Sequence, residues 1–292
     1  MPALNVLLVQ LLHGVVFGML LLLLSLGLSL IFGIGGVVNF AHGAMYMLGA
    51  YVTFLVASQL GSTLLGVIAA FLVVGILGAV VEVTTLRPLY DRDPLDQLLA
   101  TFGVVYVIEG IVINYFGSIT KSVPTPEIFQ GAVSFGTLYY PKYRLFLVAI
   151  SGMFAAVFWA FLTYTDYGVR VRAATFSSET VDALGTDTNL LFTGIFVVGA
   201  ALAGIAGGFA APVFTVYPSM GTQMLILTFI IVIVGGLGSF RGAVFGSLLI
   251  GVSLTMGRVF ISQWAQVVPY LAMTAILLLR PSGLFGKELE GH

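Results

Sequence analysis

The sequence predicts an all-α fold: a polytopic transmembrane helical bundle of roughly eight to ten spans, with glycine-broken or re-entrant helices, in one domain over residues 1–292. Three observations predict it. Of 292 residues, 59% are hydrophobic and 8% are charged, whereas a soluble domain carries about 25% charge. Residues 1–81 and 188–240 contain no Asp, Glu, Lys or Arg, and about 20 apolar residues suffice to cross a bilayer. The apolar runs are continuous and Leu-rich, unlike the alternating segments of about 10 residues that build outer-membrane barrels.

Cutting the chain at charges, prolines and polar clusters gives apolar blocks at 6–32, 37–57, 63–86, 97–116, 145–165, 189–211, 222–239, 243–257 and 265–279. The first has no basic region ahead of it and no cleavage signal, so it is expected as a retained span rather than a signal peptide. Only Gly33-Ile34-Gly35-Gly36-Val37 separates it from the second. Clustered glycine at membrane depth predicts a broken or re-entrant helix, which is tolerated only against protein or a water-filled cavity.

Two longer polar stretches interrupt the blocks. Residues 117–144 hold Pro124, Pro126, Pro141, Tyr139 and Tyr140 and predict a loop resting at the membrane interface. Residues 166–188 read differently. Ser177 and Ser178 suit a helix N-cap, Glu179 and Asp182 suit the positive end of a helix dipole, and Gly185 can take a left-handed C-cap. An exposed helix of about two turns is expected there.

Strict alternation from an outside N-terminus places Arg87, Arg92, Arg170, Arg172, Arg241, Arg280 and Lys287 on one side, and Lys121, Lys142, Arg144 and Arg258 on the other. The excess of positive charge marks the first side, and with it the C-terminus, as cytoplasmic.

Composition also excludes function classes. A net charge of −1 with scattered basic residues leaves no footprint for nucleic acid. Without cysteine there are no disulfides, zinc thiolates or cysteine nucleophiles. The sequence contains no HExxH, Gly-x-Ser-x-Gly or Walker A motif, so ATP-driven work would have to come from another chain.

Several residues stand out against the apolar background. Asn39 and His42 lie in the charge-free first 81 residues and fit either an interhelical hydrogen bond or the lining of a pathway. His13, nearer the start of the first span, can reach the interface. Glu82 has Arg87 five residues on, fitting a structural ion pair, and Glu109 sits within a span. The 36 glycines include Gly14-xxx-Gly18, Gly204-xxx-Gly208 and Gly242-xxx-Gly246, a spacing that lets helices pack closely. Gly35-Gly36-Val37-Val38-Asn39-Phe40 is echoed by Gly235-Gly236-Leu237-Gly238-Ser239-Phe240. Internal repeats with broken helices often frame a substrate path, and coincidence explains so short a match equally well.

The run Gly33-Ile34-Gly35-Gly36-Val37-Val38-Asn39-Phe40-Ala41-His42-Gly43 resembles the first signature of the membrane permeases of branched-chain amino acid ABC importers. So do Glu82 with Leu86-Arg87-Pro88-Leu89, and Leu98-Leu99-Ala100-Thr101-Phe102-Gly103. Tyr167-Gly168-Val169-Arg170-Val171-Arg172-Ala173, closing on Ala183-Leu184-Gly185, is similar to the family's cytoplasmic coupling loop. Gly235-Gly236-Leu237-Gly238-Ser239 and Arg280-Pro281-Ser282-Gly283-Leu284-Phe285-Gly286 complete a resemblance that covers nearly the whole chain. Two positions depart from it. Val83 stands where many relatives carry a basic residue, and Thr186 where an aliphatic one is usual.

The resemblance implies a multi-pass subunit of the cell (inner or plasma) membrane, paired with a homologous second permease, two cytoplasmic ABC ATPases and an extracytoplasmic solute-binding protein. No cofactor is expected in this chain, since ATP and Mg would be bound by the ATPase subunits. It implies ATPase coupling through Arg170, Arg172, Ser178, Glu179, Asp182, Leu184 and Gly185, and a translocation path near Gly35, Gly36, Asn39, His42, Gly43, Gly235 and Gly236. The solute would be a branched-chain or other small neutral amino acid, with urea or an amide as the alternative. Two further readings stay open: a self-sufficient secondary transporter or channel using Glu82, Glu109 and His42, and an intramembrane enzyme.

Overall fold

A computed structural model describes residues 4–136 and 138–286; Lys287 lies outside the described residues. In chain order the α-helices are α1 (Leu4–Gly35), α2 (Ala41–Leu60), α3 (Thr63–Val81), α4 (Pro94–Phe116), α5 (Lys142–Tyr164), α6 (Asp166–Ala174), α7 (Ser178–Ala183), α8 (Thr188–Ala210), α9 (Met220–Gly235), α10 (Phe240–Phe260) and α11 (Val268–Leu279). Eight helical stretches among the described residues are long and apolar enough to cross a membrane. The block at 222–239 is a different object. It forms α9, only 16 residues and about 24 Å long, short of the ~30 Å hydrocarbon core.

Connections gather at two ends of the bundle. At the first end, Thr63 Oγ1 donates to the Pro124 carbonyl at 2.8 Å, and the segment after α8 is tied to the long polar stretch by paired backbone bonds between Lys121 and Val216. At the second end, Gly33 packs 2.9 Å from the Gly238 Cα when given a Cβ. There the turn after α11 donates from Leu284 and Phe285 to the Val234 and Gly235 carbonyls. The glycine cluster at 33–36 thus meets the loop at 235–239 through Gly33 and Gly238.

α8 is the hub. α1, α2 and α3 all pack on it, along a face of Gly199, Ala200, Ala203, Gly204 and Gly207, each buried. Lipid tails are as apolar as leucine, so helices in a membrane associate by close van der Waals packing, and small residues permit it. The predicted close-packing pairs lie at such contacts. Gly14 and Gly18 of α1 face Val252 and Ser247 of α10, and Gly204 faces Ala70 of α3. By contrast α4, α5 and α11 are mostly exposed and form the periphery.

Four local structures differ from the sequence expectation. Residues 117–144 are not only loop. β1 (Ala132–Phe135) and β2 (Leu138–Pro141) form an antiparallel hairpin with Phe135 opposite Leu138. Period-2 alternation buries Tyr140 and exposes Tyr139. Lys142 and Arg144 belong to the first turn of α5, from which Arg144 donates to the His13 ring; the Tyr140 hydroxyl lies 2.9 Å from His13 Nδ1. Residues 166–188 carry two short helices rather than one, α6 preceding α7. Finally, α3 does not run on to residue 86. It passes at Glu82 into a π-helix (Glu82–Leu86) and then a 3-10 turn (Arg87–Leu89), where Pro88 has no N–H to donate to a preceding carbonyl.

Candidate functional site

The glycine cluster at 33–36 sets the geometry of the interior. α1 continues through Gly33 and Gly35, and the break comes at Gly36, which takes φ 62, a left-handed conformation glycine adopts without steric cost. The chain then doubles back, and α2 starts inside the bundle. His42 Nε2 donates to the Leu24 carbonyl at 2.9 Å, and the His42 ring lies 2.9 Å from a Cβ placed on Gly27. Gly27 itself packs on Gly199, midway along α8.

α9 starts at the same place. A Cβ on Gly43, in the first turn of α2, would lie 2.5 Å from the Gly221 carbonyl in the first turn of α9. Two helix N-termini therefore meet within the bundle, and neither has a side-chain cap. Each N-terminus carries unpaired N–H groups and about half a positive charge. Beside them Asn39 is fully buried, with neither Oδ1 nor Nδ2 hydrogen-bonded, and His42 Nδ1 is unpartnered. Buried polar groups normally find partners, so this junction holds donors and two acceptors, Asn39 Oδ1 and His42 Nδ1, available to a polar guest. Toward the second end it is bounded by Phe40, stacked on Phe102 at 4.3 Å and tilted against Phe229 at 5.2 Å.

Gly35, Gly36, Asn39, His42 and Gly43 thus lie along one turn-back. Gly235 and Gly236 pack on Gly242 and the Phe285-Gly286 turn at the second end, where Gly33 also meets Gly238, so the path set divides: Gly35, Gly36, Gly235 and Gly236 lie at the second end, while Asn39, His42 and Gly43 reach mid-bundle. Glu109 meets Thr222 of α9 at 3.4 Å. In the sequence Gly221 is marked only by its position after Pro218-Ser219, which hints at a helix start.

At the second end, Glu82 is fully buried and Arg87 one-third exposed, with Nη2 2.9 Å from Oε2 and Nε 3.1 Å from Oε1. Thr193 Oγ1 at 2.8 Å and the Tyr90 hydroxyl at 3.1 Å also donate to this carboxylate. Burial and the adjacent Glu82 charge push the Tyr90 phenol above its ordinary range. The cluster joins the end of α3 to the start of α8, and nothing in the sequence marks Thr193 as its member.

Beyond it, α6 and α7 lie across the same end. Thr165 caps α6 by accepting from Gly168 N at 3.0 Å, and Tyr167 donates to the Leu191 carbonyl at 3.0 Å, pinning α6 to α8. Ser177, not Ser178, caps α7, accepting from Thr180 N at 3.1 Å. At its other end Gly185 takes φ 86. Gly185 N donates to Asp182 O at 2.8 Å and Thr186 N to Val181 O at 3.2 Å, the paired bonds of a Schellman turn. Asp187 then caps α8 by accepting from Leu190 N at 3.0 Å. Arg170, Arg172, Glu179, Asp182, Leu184 and Gly185 are all exposed, Leu184 to 81%, and Ser178 is half-buried.

Comparison with known proteins agrees over nearly the full length. The family described as "Branched-chain amino acid transport system / permease component" matches residues 10–277. The high-affinity branched-chain amino acid transport system permease protein BraD of Pseudomonas aeruginosa is 31% identical over 309 residues, covering 99% of each chain. LivH of Escherichia coli, with the same description, is 28% identical over 302 residues, 96% of each. A probable LivH of Methanocaldococcus jannaschii is 25% identical, over 94% of this chain and 91% of its own. No solved structure matches. With its broken helices, buried polar junction and this full-length similarity, the chain belongs to the branched-chain amino acid transport system permease component family.

Proposed function

We propose that this chain is the membrane-spanning permease subunit of an ATP-driven importer for branched-chain or other small neutral amino acids. It forms the translocation path with a homologous second permease and receives its solute from an extracytoplasmic binding protein. The relatives' descriptions as branched-chain amino acid permeases support the substrate class. The end bearing Arg87, Arg92, Arg170, Arg172, Arg241 and Arg280 faces the cytoplasm, in keeping with the positive-inside bias. There α6 and α7 dock on the ATPases, whose closure on ATP moves the helices on either side.

The observation that carries this reading is α7 itself: a short helix capped at both ends, exposed, and tied directly into α8. A helix of six residues is not stable alone in water, so two caps and an exposed apolar Leu184 suit a preformed docking element. In the interior, a neutral zwitterion would meet helix N-termini, Asn39 and His42 rather than fixed charges. Co-purification of the ATPase subunits tests the docking: replacing Arg172 and Glu179 by alanine is expected to release them, and undiminished co-purification contradicts it.

A further inference from the structure

At the first end of the bundle, a cavity of about 360 Å³ opens directly above the N-terminus of α9. Pockets for small ligands fall in the range of about 300–1,000 Å³. Its apolar wall is Phe17, Phe214, Leu227 and Leu254, with Phe17 edge-on to Phe214 at 5.7 Å. Its polar rim holds Arg258, at the end of α10, together with Tyr217, Gln223, Gln266 and Tyr270.

The electrostatics of this cavity are one-sided. No acidic residue lines it, and the ion pair among the described residues is Glu82–Arg87 at the other end, so the Arg258 guanidinium has no carboxylate partner. The uncapped N-terminus of α9, sixteen residues long, adds partial positive charge from Met220 and its neighbours. The Tyr217 hydroxyl donates to Gln223 Oε1 at 2.8 Å, which fixes that amide. A guanidinium fork matches a carboxylate in two parallel hydrogen bonds, aromatic faces and amide oxygens suit an ammonium, and the Phe and Leu wall suits a branched aliphatic side chain.

We infer that this cavity is an entry subsite for the free α-amino acid, with Arg258 holding the α-carboxylate and the apolar wall holding the side chain, one turn from the Gly43–Gly221 junction. The inference rests on the import reading above and names the group that recognises its substrate. It predicts that the carboxylate, not merely the aliphatic side chain, is required at this subsite.

Arginine-directed modification by phenylglyoxal tests it without a transport assay. The full chain in nanodiscs is treated with reagent, with leucine or leucinamide present, and modification of Arg258 is read by peptide mass spectrometry against Arg92 and Arg280. Leucine at about ten times its Kd is expected to slow modification of Arg258 about tenfold by occupancy, and leucinamide is expected not to. Equal rates with and without leucine overturn the subsite, as does protection of Arg258 only on assembly with the second permease, which makes the cavity part of that interface. In the reconstituted transporter, Arg258→Gln is expected to raise the KM for leucine about tenfold through loss of a charge-assisted pair, with partial recovery in Arg258→Lys. An unchanged KM in Arg258→Gln, with wild-type uptake of leucine intact, overturns the subsite and leaves the import reading standing. Protection of Arg258 without wild-type ATP-dependent uptake of leucine does the reverse.

Discussion

Arg87 folds back onto Glu82 because the backbone between them makes a π-turn. The Arg87 N–H donates to the Glu82 carbonyl, an i to i+5 bond that brings the two side chains onto one face, where their forks meet at 2.9 and 3.1 Å. On an α-helix, side chains meet at spacings of three and four. π-turns are uncommon and recur at functional sites. Here the turn lets a fully buried carboxylate sit between α3 and α8 with a guanidinium, a hydroxyl and a phenol around it.

Removing the arginine should hurt more than neutralising the acid. Arg87→Met leaves a buried carboxylate without its cation. We expect a loss on the order of 2–3 kcal/mol, below the value for fully buried pairs because Arg87 is partly exposed. Glu82→Gln keeps hydrogen bonds to Thr193 and Tyr90 and should cost less. Thermal unfolding of the purified variants in nanodiscs measures both, and the reverse ranking contradicts the assignment.

Close helix approach makes a second, paired expectation. A Cβ on Gly207 would run into the Tyr46 carbonyl, whereas one on Gly103 meets nothing within 4 Å. Gly207→Ala should therefore destabilise by about 1–3 kcal/mol through overpacking. Gly103→Ala should be neutral or stabilising by up to about 1 kcal/mol, from helix propensity. Thermal midpoints of the two variants, compared directly, check it.

At α7 the turn residue carries the expectation. Gly185 at φ 86 tolerates asparagine better than valine, since a β-branched residue is strained in the left-handed region. Gly185→Val should lower ATPase stimulation by substrate in the assembled transporter, and Gly185→Asn should largely preserve it. Ser177→Ala, which removes the N-cap, should weaken the helix by about 1 kcal/mol and reduce stimulation in the same direction. Equal stimulation in all three variants would separate the caps from coupling.

Asn39 separates stability from function. Its amide is buried and unpartnered, so Asn39→Leu should raise stability by on the order of 1–2 kcal/mol while reducing uptake. That combination is the signature of a polar group kept for a guest rather than for the fold. Thermal midpoint and initial uptake rate, measured on one preparation, read it out.

How far these features can be read in the sequence follows their range. The bundle and its spans follow from composition, because the absence of charge over residues 1–81 admits no other solvent. Both ends of α7 are legible for the same local reason: a cap is chosen within four residues. What the sequence conceals is long-range. The Gly43–Gly221 contact joins positions whose separation carries no periodic signal, and the division of Gly235 and Gly236 from Asn39 depends on α9 being too short to span. The hairpin at 132–141 escapes because Pro124 and Pro126 ahead of it and Pro141 at its end mask a weak alternation, and the π-turn because a carboxylate five residues from an arginine looks the same on an α-helix.

Transport itself is the most direct test. Radiolabelled leucine and urea are offered to proteoliposomes containing this chain with the proposed second permease, ATPases and binding protein, with and without ATP. The expected result is uptake of leucine that requires ATP and every partner. ATP-dependent uptake of urea instead keeps the mechanism and moves the substrate to the amide class. Uptake by this chain alone, indifferent to ATP, contradicts the coupling role of α7 and identifies an intrinsic channel or carrier.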